Sequence, residues 1–397
     1  APAPIPDPAP APIPDPAPAP IPDPAPAPIP DPVPAALGPI ELSFVGDVIF
    51  GHFYSRGYVR HRRSGEQPLA AVRDLLSADL VIANLETPLG RQLPTRSPVE
   101  SRYRFGAEAA AVQVLQQGGI GAVTLSNNHA ADLKVQGLID TPAILREQGI
   151  VPLAEARRPC DGPAITVQTL DVRGVRVGVV ALTTQLNVPV AVGPTIPRVP
   201  VVVDTTAVSR TVAPLLSAAR AQHDLIAVLL HWGTQFTDLP STPQRRAAHA
   251  LIDAGADLVI GHHPHVLQGV EQYHGGVIAY SLGNFLFPDA SGAPRLTGAL
   301  RVRYSRAERR IDRVQFRPAV ARSLPHGSVA PMPRHERLSD PVRARMQQLS
   351  APLGSRFRTV DDQLELSIDA PLRSTAQPLP PSPQQASMLA PQGAAQP

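Results

Sequence analysis

Carboxylate, amide and imidazole side chains occur in short clusters along this chain of 397 residues, and their combination is typical of a metal site. Mixed carboxylate and imidazole ligands suit borderline divalent metals such as Mn, Fe, Zn or Ni, rather than Ca or Mg. Two such ions, held about 3.5–4 Å apart with a bridging carboxylate, are used in phosphoryl transfer. The sequence therefore predicts a site for one or two divalent metal ions, built from Asp47, Glu86, Asn84, Asn128, Asn284, His129, His231, His263 and His265.

Each cluster lies at the end of a short apolar run that is typical of a buried β-strand. In open α/β sheets the carboxyl ends of parallel strands line one crevice, so we expect these polar residues to meet there. His263 and His265 flank Pro264, and in extended backbone their side chains would face the same side. The runs are Leu42–Val45, Leu80–Ala83, Ala122–Leu125, Leu225–Leu230, Leu258–Ile260 and Val277–Tyr280.

The apolar runs alternate with segments of helical pattern, and this alternation predicts an α/β fold with a largely parallel sheet covered on both faces. The helical segments lie near residues 67–77, 107–117, 135–148, 207–221 and 242–254. Two further pairs of runs predict β-hairpins and, with them, two packed sheets. These pairs are Ile165–Leu170 with Val175–Leu182, and Leu300–Tyr304 with Ile311–Phe316.

The two ends of the chain have a different composition from the body. Residues 1–32 are four copies of one Pro-rich octapeptide, and residues 1–34 hold 17 of the 49 prolines. Proline at every second position excludes helix and sheet, so we expect a polyproline-II spacer or a ligand for a Pro-recognising partner. Residues 371–397 are expected to be disordered. The start at Ala1 favours an exported mature chain that is periplasmic, secreted or held at the cell surface.

Composition excludes several other classes of protein. No apolar run approaches the roughly 20 residues that a membrane span needs. The net charge is +3, and no arginine cluster is interleaved with aromatic residues, so we expect no nucleic-acid partner. Cys160 is the single cysteine, which excludes an intrachain disulfide and a Cys-based zinc site. The arginines of Arg301–Arg313 are expected to form a solvated face or to bind a polyanion.

Six phrases together resemble the CapA family of capsule and poly-γ-glutamate synthesis proteins. They span about residues 41–290. The phrases are Phe44-Val45-Gly46-Asp47, Ala83-Asn84-Leu85-Glu86-Thr87-Pro88-Leu89, Ser126-Asn127-Asn128-His129, Leu230-His231-Trp232-Gly233, Gly261-His262-His263-Pro264-His265 and Tyr280-Ser281-Leu282-Gly283-Asn284-Phe285. The resemblance implies the four-layer α/β/β/α sandwich of the calcineurin-like metallophosphatases.

The resemblance also implies roles for individual residues. Asp47 matches the first metal-binding aspartate of that superfamily, and Glu86 stands where a metal-bridging aspartate is usual. Asn128 matches an asparagine that binds metal and phosphate, and His129 matches a general acid. The later histidine ligands are matched by His231, His263 and His265.

Two positions depart from the superfamily pattern. Ile49 occupies the place of a usual histidine, and Glu86 is the one acidic residue of a motif that usually has two. Asn84, Asn284 and His262 complete the expected site as substrate-binding residues. His52 is expected to be a surface or packing residue.

We expect four regions: a spacer at 1–38, a CapA-like domain at 39–325, a C-terminal extension at 326–370 and a tail at 371–397. The resemblance implies a role in poly-γ-glutamate or capsule polymer synthesis, with membrane-bound polymer synthases as partners. A metal-dependent phosphoesterase would act on a phosphoester or on an anionic polymer. The alternative is a non-catalytic component that binds a polyanion through the same fold.

Overall fold

The computed structural model describes residues 38–54, 57–60, 67–188, 193–287, 290–322, 328–331 and 341–367. The expected spacer up to residue 37 and the expected tail at 371–397 lie outside the described residues.

Strands dominate the described part of the chain. In chain order they are β1 (Ile40–Val48), β2 (Gly51–Tyr54), β3 (Gly57–Arg60), β4 (Leu80–Leu85), β5 (Leu89–Gly90), β6 (Ala107–Glu108), β7 (Ala122–Thr124), β8 (Val151–Leu153), β9 (Gln168–Val172), β10 (Val175–Thr183), β11 (Leu225–His231), β12 (Leu258–His262), β13 (Val270–Tyr273), β14 (Gly276–Ala279), β15 (Asn284–Leu286), β16 (Leu296–Ser305), β17 (Arg310–Arg322), β18 (Ser328–Pro331), β19 (Phe357–Val360) and β20 (Gln363–Leu366).

Five α-helices are described, together with short 3-10 turns. The helices are α1 (Val112–Gly118), α2 (Lys134–Glu147), α3 (Thr205–Ala219), α4 (Thr242–Asp253) and α5 (Pro341–Ser350). The 3-10 turns are Ala70–Val72, Ala109–Ala111, Pro159–Asp161, Arg220–Gln222, Ala293–Arg295 and Ala351–Leu353.

Both large sheets contain parallel and antiparallel strands. The parallel strands extend to the β8 edge of the first sheet and lie at the centre of the second. The first sheet has the order β19-β20-β17-β16-β1-β4-β7-β8, with β15 also pairing β1 and β18 pairing β17. The second has the order β13-β14-β12-β11-β10-β9. Strands β1, β4, β7 and β8 run parallel in one sheet, and β10, β11, β12 and β14 run parallel in the other. Their carboxyl ends are therefore the edges at which polar side chains can converge.

The two sheets pack face to face and helices cover their outer faces. Inward side chains of both sheets, such as Phe44 and Val179, share one buried core. On the outer face of the first sheet, Leu115 of α1 packs in a second core. On the outer face of the second sheet, Val212 of α3 and Leu251 of α4 pack in a third. These layers form the expected metallophosphatase-like α/β/β/α sandwich, and the predicted fold class is confirmed.

The C-terminal segment contributes to the same sandwich. Val342 and Met346 of α5 lie in the core between the sheets, together with Leu364 and Leu366 of β20. Strand β20 pairs with β17 in the first sheet. The expected extension at 326–370 therefore supplies side chains to the main core.

Most of the predicted elements are confirmed within a few residues, but the helix expected at 67–77 is not formed. That segment holds only the 3-10 turn Ala70–Val72, followed by hydrogen-bonded turns. Arg317 of β17 donates from Nη1 to the carbonyl oxygens of Asp74 and Leu75, at 3.0 and 2.8 Å. These carbonyl groups thus accept hydrogen bonds from a residue that is distant in the sequence. The helical pattern alone could not predict this contact.

The basic hairpin of β16 and β17 lies at the opposite end of β1 from Asp47, because Tyr304 pairs with Ile40. Arg303 makes a bidentate ion pair with Asp312, at 2.8 and 2.9 Å, and Arg301 pairs with Glu41. The remaining arginines of the stretch bond to carboxylates or backbone carbonyls: Arg306 to Gly38, Arg309 to Asp224, Arg310 to Glu308 and Arg313 to Glu365. This hairpin is a network of paired charges. Among the described residues, no helix has the length and apolar character needed to cross a membrane.

Candidate metal centre

The carboxyl ends of the central strands bring the predicted ligands together from both sheets. Asp47 lies in β1, in register with Asn84 of β4 on one side and with Asn284 of β15 on the other. Glu86 directly follows β4. In the second sheet, His231 ends β11 beside the end of β12. The apolar residues of these strands pack in the hydrophobic cores, and the polar residues at the strand ends meet at one place.

Glu86 is at the centre of this cluster and accepts no hydrogen bond from the described residues. Its side chain is fully buried, and both carboxylate oxygens are without a donor. Its Oε1 lies 3.6 Å from His231 Nε2, 3.9 Å from His129 Nε2 and 4.0 Å from His265 Nε2. Burial raises the pKa of Glu86 well above its usual value. Burying a charged carboxylate without hydrogen bonds costs free energy unless a nearby cation compensates its charge.

Two groups of three side chains that could hold a metal ion share Glu86. One is Glu86 with His231 and His263, and the other is Glu86 with Asp47 and His265. Within each group the ligand atoms all lie within 4.8 Å of one another. Asn128 adds an amide oxygen 2.7 Å from His231 Nε2. The donor set and the orphaned oxygens of Glu86 fit a divalent metal with imidazole and carboxylate ligands.

The histidines of the cluster differ in the direction in which their pKa is shifted. Burial lowers the pKa of His265, but the nearby carboxylates of Glu86 and Asp47 outweigh this effect and raise it to about 9. Burial and the neighbouring His265 lower the pKa of His263 to about 3. Burial and His263 also hold the pKa of His231 well below its usual value. Burial opposes ionisation of Asp47, but its bond with His265 lowers its pKa.

The loop after β12 carries two of the predicted ligands in left-handed backbone. The φ angles are +97° at His263 and +58° at His265, so the expectation of an extended segment is wrong. Both side chains nevertheless reach the cluster, and their ring centroids lie 5.8 Å apart. Left-handed backbone at non-glycine residues costs free energy and is typical of functional sites.

A close backbone approach fixes Asn284 beside Asp47. A Cβ atom on Gly46 would lie 1.9 Å from the carbonyl oxygen of Gly283, so only glycine fits there. The N–H of Asp47 donates to that same carbonyl at 2.9 Å. Asn284 Oδ1 then lies 2.9 Å from His265 Nδ1 and orients that ring.

His129 is held by a buried aspartate that sequence reasoning missed. Its Nδ1 lies 2.6 Å from Oδ2 of Asp132, and the same oxygen accepts from the backbone N–H of Phe105 at 2.7 Å. This arrangement directs Nε2 of His129 toward Glu86 and toward Asn187, whose Nδ2 lies 3.2 Å away. The sequence signal that could have identified Asp132 is its spacing, because it follows His129 by three residues.

The three residues expected to bind substrate take different positions. Asn84 donates from Nδ2 to Asp47 Oδ1 at 2.8 Å and so supports a ligand. His262 directs Nε2 to the carbonyl oxygen of Val45 at 3.1 Å, away from the cluster. Asn284 is the one of the three that also lines the cleft beside the cluster.

That cleft opens next to His129 and His265 and has a volume of about 240 Å³. Aromatic residues form much of its lining, namely Tyr103, Phe105, Phe236 and Phe287. His52 also lines it and stacks on Tyr54 at 4.4 Å between ring centroids. No pattern in the sequence signals this aromatic wall, because its members come from separate loops.

The fold and the cluster together define an α/β/β/α sandwich protein with buried His, Glu and Asp groups suited to a metal. Residues 41–289 match the bacterial capsule synthesis protein PGA_cap. The chain belongs to this family, and the resemblance to CapA proteins is confirmed.

Two curated relatives are similar over the same region. The PGA biosynthesis protein CapA of Bacillus subtilis (strain 168) is 30% identical over 249 residues, which are 62% of this chain and 63% of the relative. The capsule biosynthesis protein CapA of Bacillus anthracis is 28% identical over 250 residues, 62% of this chain and 60% of the relative. The match thus spans less than two thirds of either relative. Among solved structures, a hypothetical protein from Thermus thermophilus has a TM-score of 0.38 and 18% identity, covering 74% of this chain and 100% of its own.

Proposed function

We propose that the chain is a metal-dependent phosphoesterase-type component of poly-γ-glutamate or capsule polymer synthesis. The observation that carries this proposal is Glu86, a fully buried carboxylate surrounded by three histidines, whose two oxygens accept no hydrogen bond from the part of the chain that the structure describes. The family match and the names of the Bacillus relatives support the biological context.

The ligands of the proposed site are Asp47, Glu86, Asn128, His231, His263 and His265, with Glu86 shared between two positions. The mixed donors favour Mn, Fe, Zn or Ni, as one ion or two. Such a metal, when bound, supplies Lewis-acid polarisation of a phosphoryl oxygen. Two residues of this chain lie behind the ligands, since Asn84 bonds to Asp47 and Asn284 bonds to His265.

His129 is the proposed general acid. Its Nδ1 is held by Asp132, which fixes the ring and presents Nε2 as the atom that can pass a proton to a leaving oxygen. That Nε2 lies 3.9 Å from Glu86 and borders the cleft, which is where a reacting phosphoryl group would sit.

We further propose that the protein acts outside the cytoplasmic membrane, in the periplasm, at the cell surface or as a secreted protein. The four Pro-rich copies of residues 1–32 suit a spacer ahead of the folded body, and membrane-bound polymer synthases are the proposed partners. The non-catalytic alternative is not favoured, because the arginines on which polyanion binding would depend are paired.

Turnover of phosphomonoesters and phosphodiesters by the metal-reconstituted full chain tests the proposal. We expect hydrolysis above the buffer blank, and we expect His129→Ala to lower kcat by about 10²–10⁴ while bound metal is retained. His249→Ala is the matched control, since His249 lies in the separate ion-pair cluster of Glu271. A metal-loaded protein that hydrolyses neither ester class would contradict the phosphoesterase assignment.

A further inference from the structure

The cleft beside the metal cluster has a composition that restricts its ligand. Among the described residues that line it, none is Lys, Arg, Asp or Glu. A site that grips an acidic polymer by charge would need cationic side chains along its length. The charged side chains of the basic hairpin cannot supply them, because that hairpin lies at the opposite end of β1.

The aromatic wall contacts the histidines at the reacting end of the cleft. The ring centroids of Phe105 and His129 lie 4.0 Å apart, and those of Phe287 and His265 lie 5.1 Å apart. Phe105 and Phe287 themselves form an edge-to-face pair at 6.2 Å. A group attached to a phosphoryl centre at the cluster would therefore lie directly against aromatic rings.

The outer part of the wall exposes large apolar surface. Phe236 is 60% exposed and Tyr103 is 40% exposed, although both line the cleft. Exposed apolar residues that line one cleft together are typical of ligand-binding grooves, whereas singly exposed ones are common. Their position at the cleft makes them contacts for the same ligand that reaches the metal cluster.

The size of the cleft suits a single ring system. Roughly 150 Å³ is enough to enclose a benzene molecule, and this cleft has about 240 Å³. The remaining volume fits a phosphoryl group at the His129 and His265 end. Ring faces prefer offset or edge-to-face contacts with other rings, which the arrangement of Phe105 and Phe287 offers.

We infer that the cleft is a ring-binding subsite, which selects phosphoesters whose alcohol portion is an uncharged planar ring. This inference rests on the proposed function and names its substrate class. The phosphoryl group lies at the metal cluster, and the ring lies between Phe236 and Phe287. Specificity then comes from the aromatic wall, whereas the metal ligands bind any phosphoryl group.

Binding of two phosphonates to the metal-loaded full chain tests the inference without requiring turnover. Phenylphosphonate and methylphosphonate share the phosphonate group and differ in the ring. We expect phenylphosphonate to bind at least about tenfold more tightly in calorimetric titration. Phe236→Ala should remove most of this preference, and Phe287→Leu, which keeps apolar volume but loses the ring, should reduce it. In both variants methylphosphonate should still bind and metal should be retained, which reports an intact fold and metal site.

The outcomes separate the two proposals. Equal affinity for the two phosphonates overturns the ring subsite and leaves the phosphoesterase proposal standing. A phenyl preference that survives both substitutions overturns the assignment to this cleft. If neither phosphonate binds while metal is present, the phosphoesterase proposal fails together with the inference.

Discussion

Two buried glutamates of this protein have opposite surroundings. Glu271 on β13 is nearly fully buried, and it accepts from the hydroxyl of Tyr280 at 2.7 Å and pairs with His249 at 3.0 Å and Arg245 at 3.5 Å. Glu86 is more deeply buried, yet neither of its oxygens accepts a hydrogen bond from the described residues. A buried carboxylate is stable when something compensates its charge. Glu271 is compensated by hydrogen-bonding partners of the protein, whereas the oxygens of Glu86 are oriented to suit the proposed metal ion.

Metal affinity should depend steeply on pH, and this is the largest expected effect. Without metal the pKa of His265 is raised to about 9, so below that pH a metal must displace a proton from this ligand. Affinity should therefore fall by up to about tenfold per pH unit, or about a hundredfold between pH 8 and pH 6, and level off above pH 9. Competitive chelator titration across this range measures it. A flat profile would remove His265 from the ligands.

A third buried carboxylate, Asp132, should affect catalysis without affecting metal. Asp132→Asn weakens the bond that orients the His129 ring, so kcat should fall roughly tenfold to a hundredfold with bound metal unchanged. Steady-state rates and metal content measure these two quantities. Asp140→Asn, at a buried aspartate bonded to Gln136, is the control, and an equal fall in kcat for both variants would contradict the role of Asp132.

Unfolding of the metal-free protein should distinguish the two glutamates directly. Glu271→Gln weakens bonds to Tyr280, His249 and Arg245 and should lower the free energy of unfolding by roughly 1–2 kcal/mol. Glu86→Gln loses no hydrogen bond and should change it by less than about 1 kcal/mol. Urea denaturation in chelator measures both. Equal losses for the two variants would make Glu86 a structural residue like Glu271.

The smallest expected effect concerns the basic hairpin. The guanidinium of Arg309 lies 3.6 Å from Asp224 and more than half of its side chain is exposed. Arg309→Gln should change the free energy of unfolding by less than about 0.5 kcal/mol and leave phosphoester turnover unchanged. A salt-sensitive affinity for poly-γ-glutamate that this variant abolishes would revive the polyanion-binding alternative.

Much of the fold was predictable because local patterns and strand order agree. The runs that became β4, β11 and β12 are apolar over their whole length and that of β1 is interrupted only by Ser43, as is typical of strands buried on both faces. The convergence of Asp47, Glu86 and His231 follows from parallel strands whose carboxyl ends meet. The hairpin of β9 and β10 was marked by Arg173 and Gly174, both of which have positive φ.

Other features depend on contacts between distant parts of the chain, and no local pattern encodes them. The helix predicted at 67–77 is not formed, and carbonyl groups of this segment bind Arg317, which is more than two hundred residues away in the sequence. His262 shares a motif with His263 and His265 but turns toward the backbone of β1. The aromatic wall joins Phe105, Phe236 and Phe287 from three loops. Its members are visible only when the loops are folded together.

Metal content of the full chain, measured by mass spectrometry after reconstitution, tests whether Glu86 holds a metal ion. Wild type and Glu271→Gln should both retain near-stoichiometric Mn, Fe, Zn or Ni, because Glu271 is compensated by protein partners. Glu86→Gln should lose the metal while keeping its fold by circular dichroism. Metal retained in Glu86→Gln at the wild-type level, or absent from the folded wild type, would contradict the proposed role of Glu86 as a metal ligand.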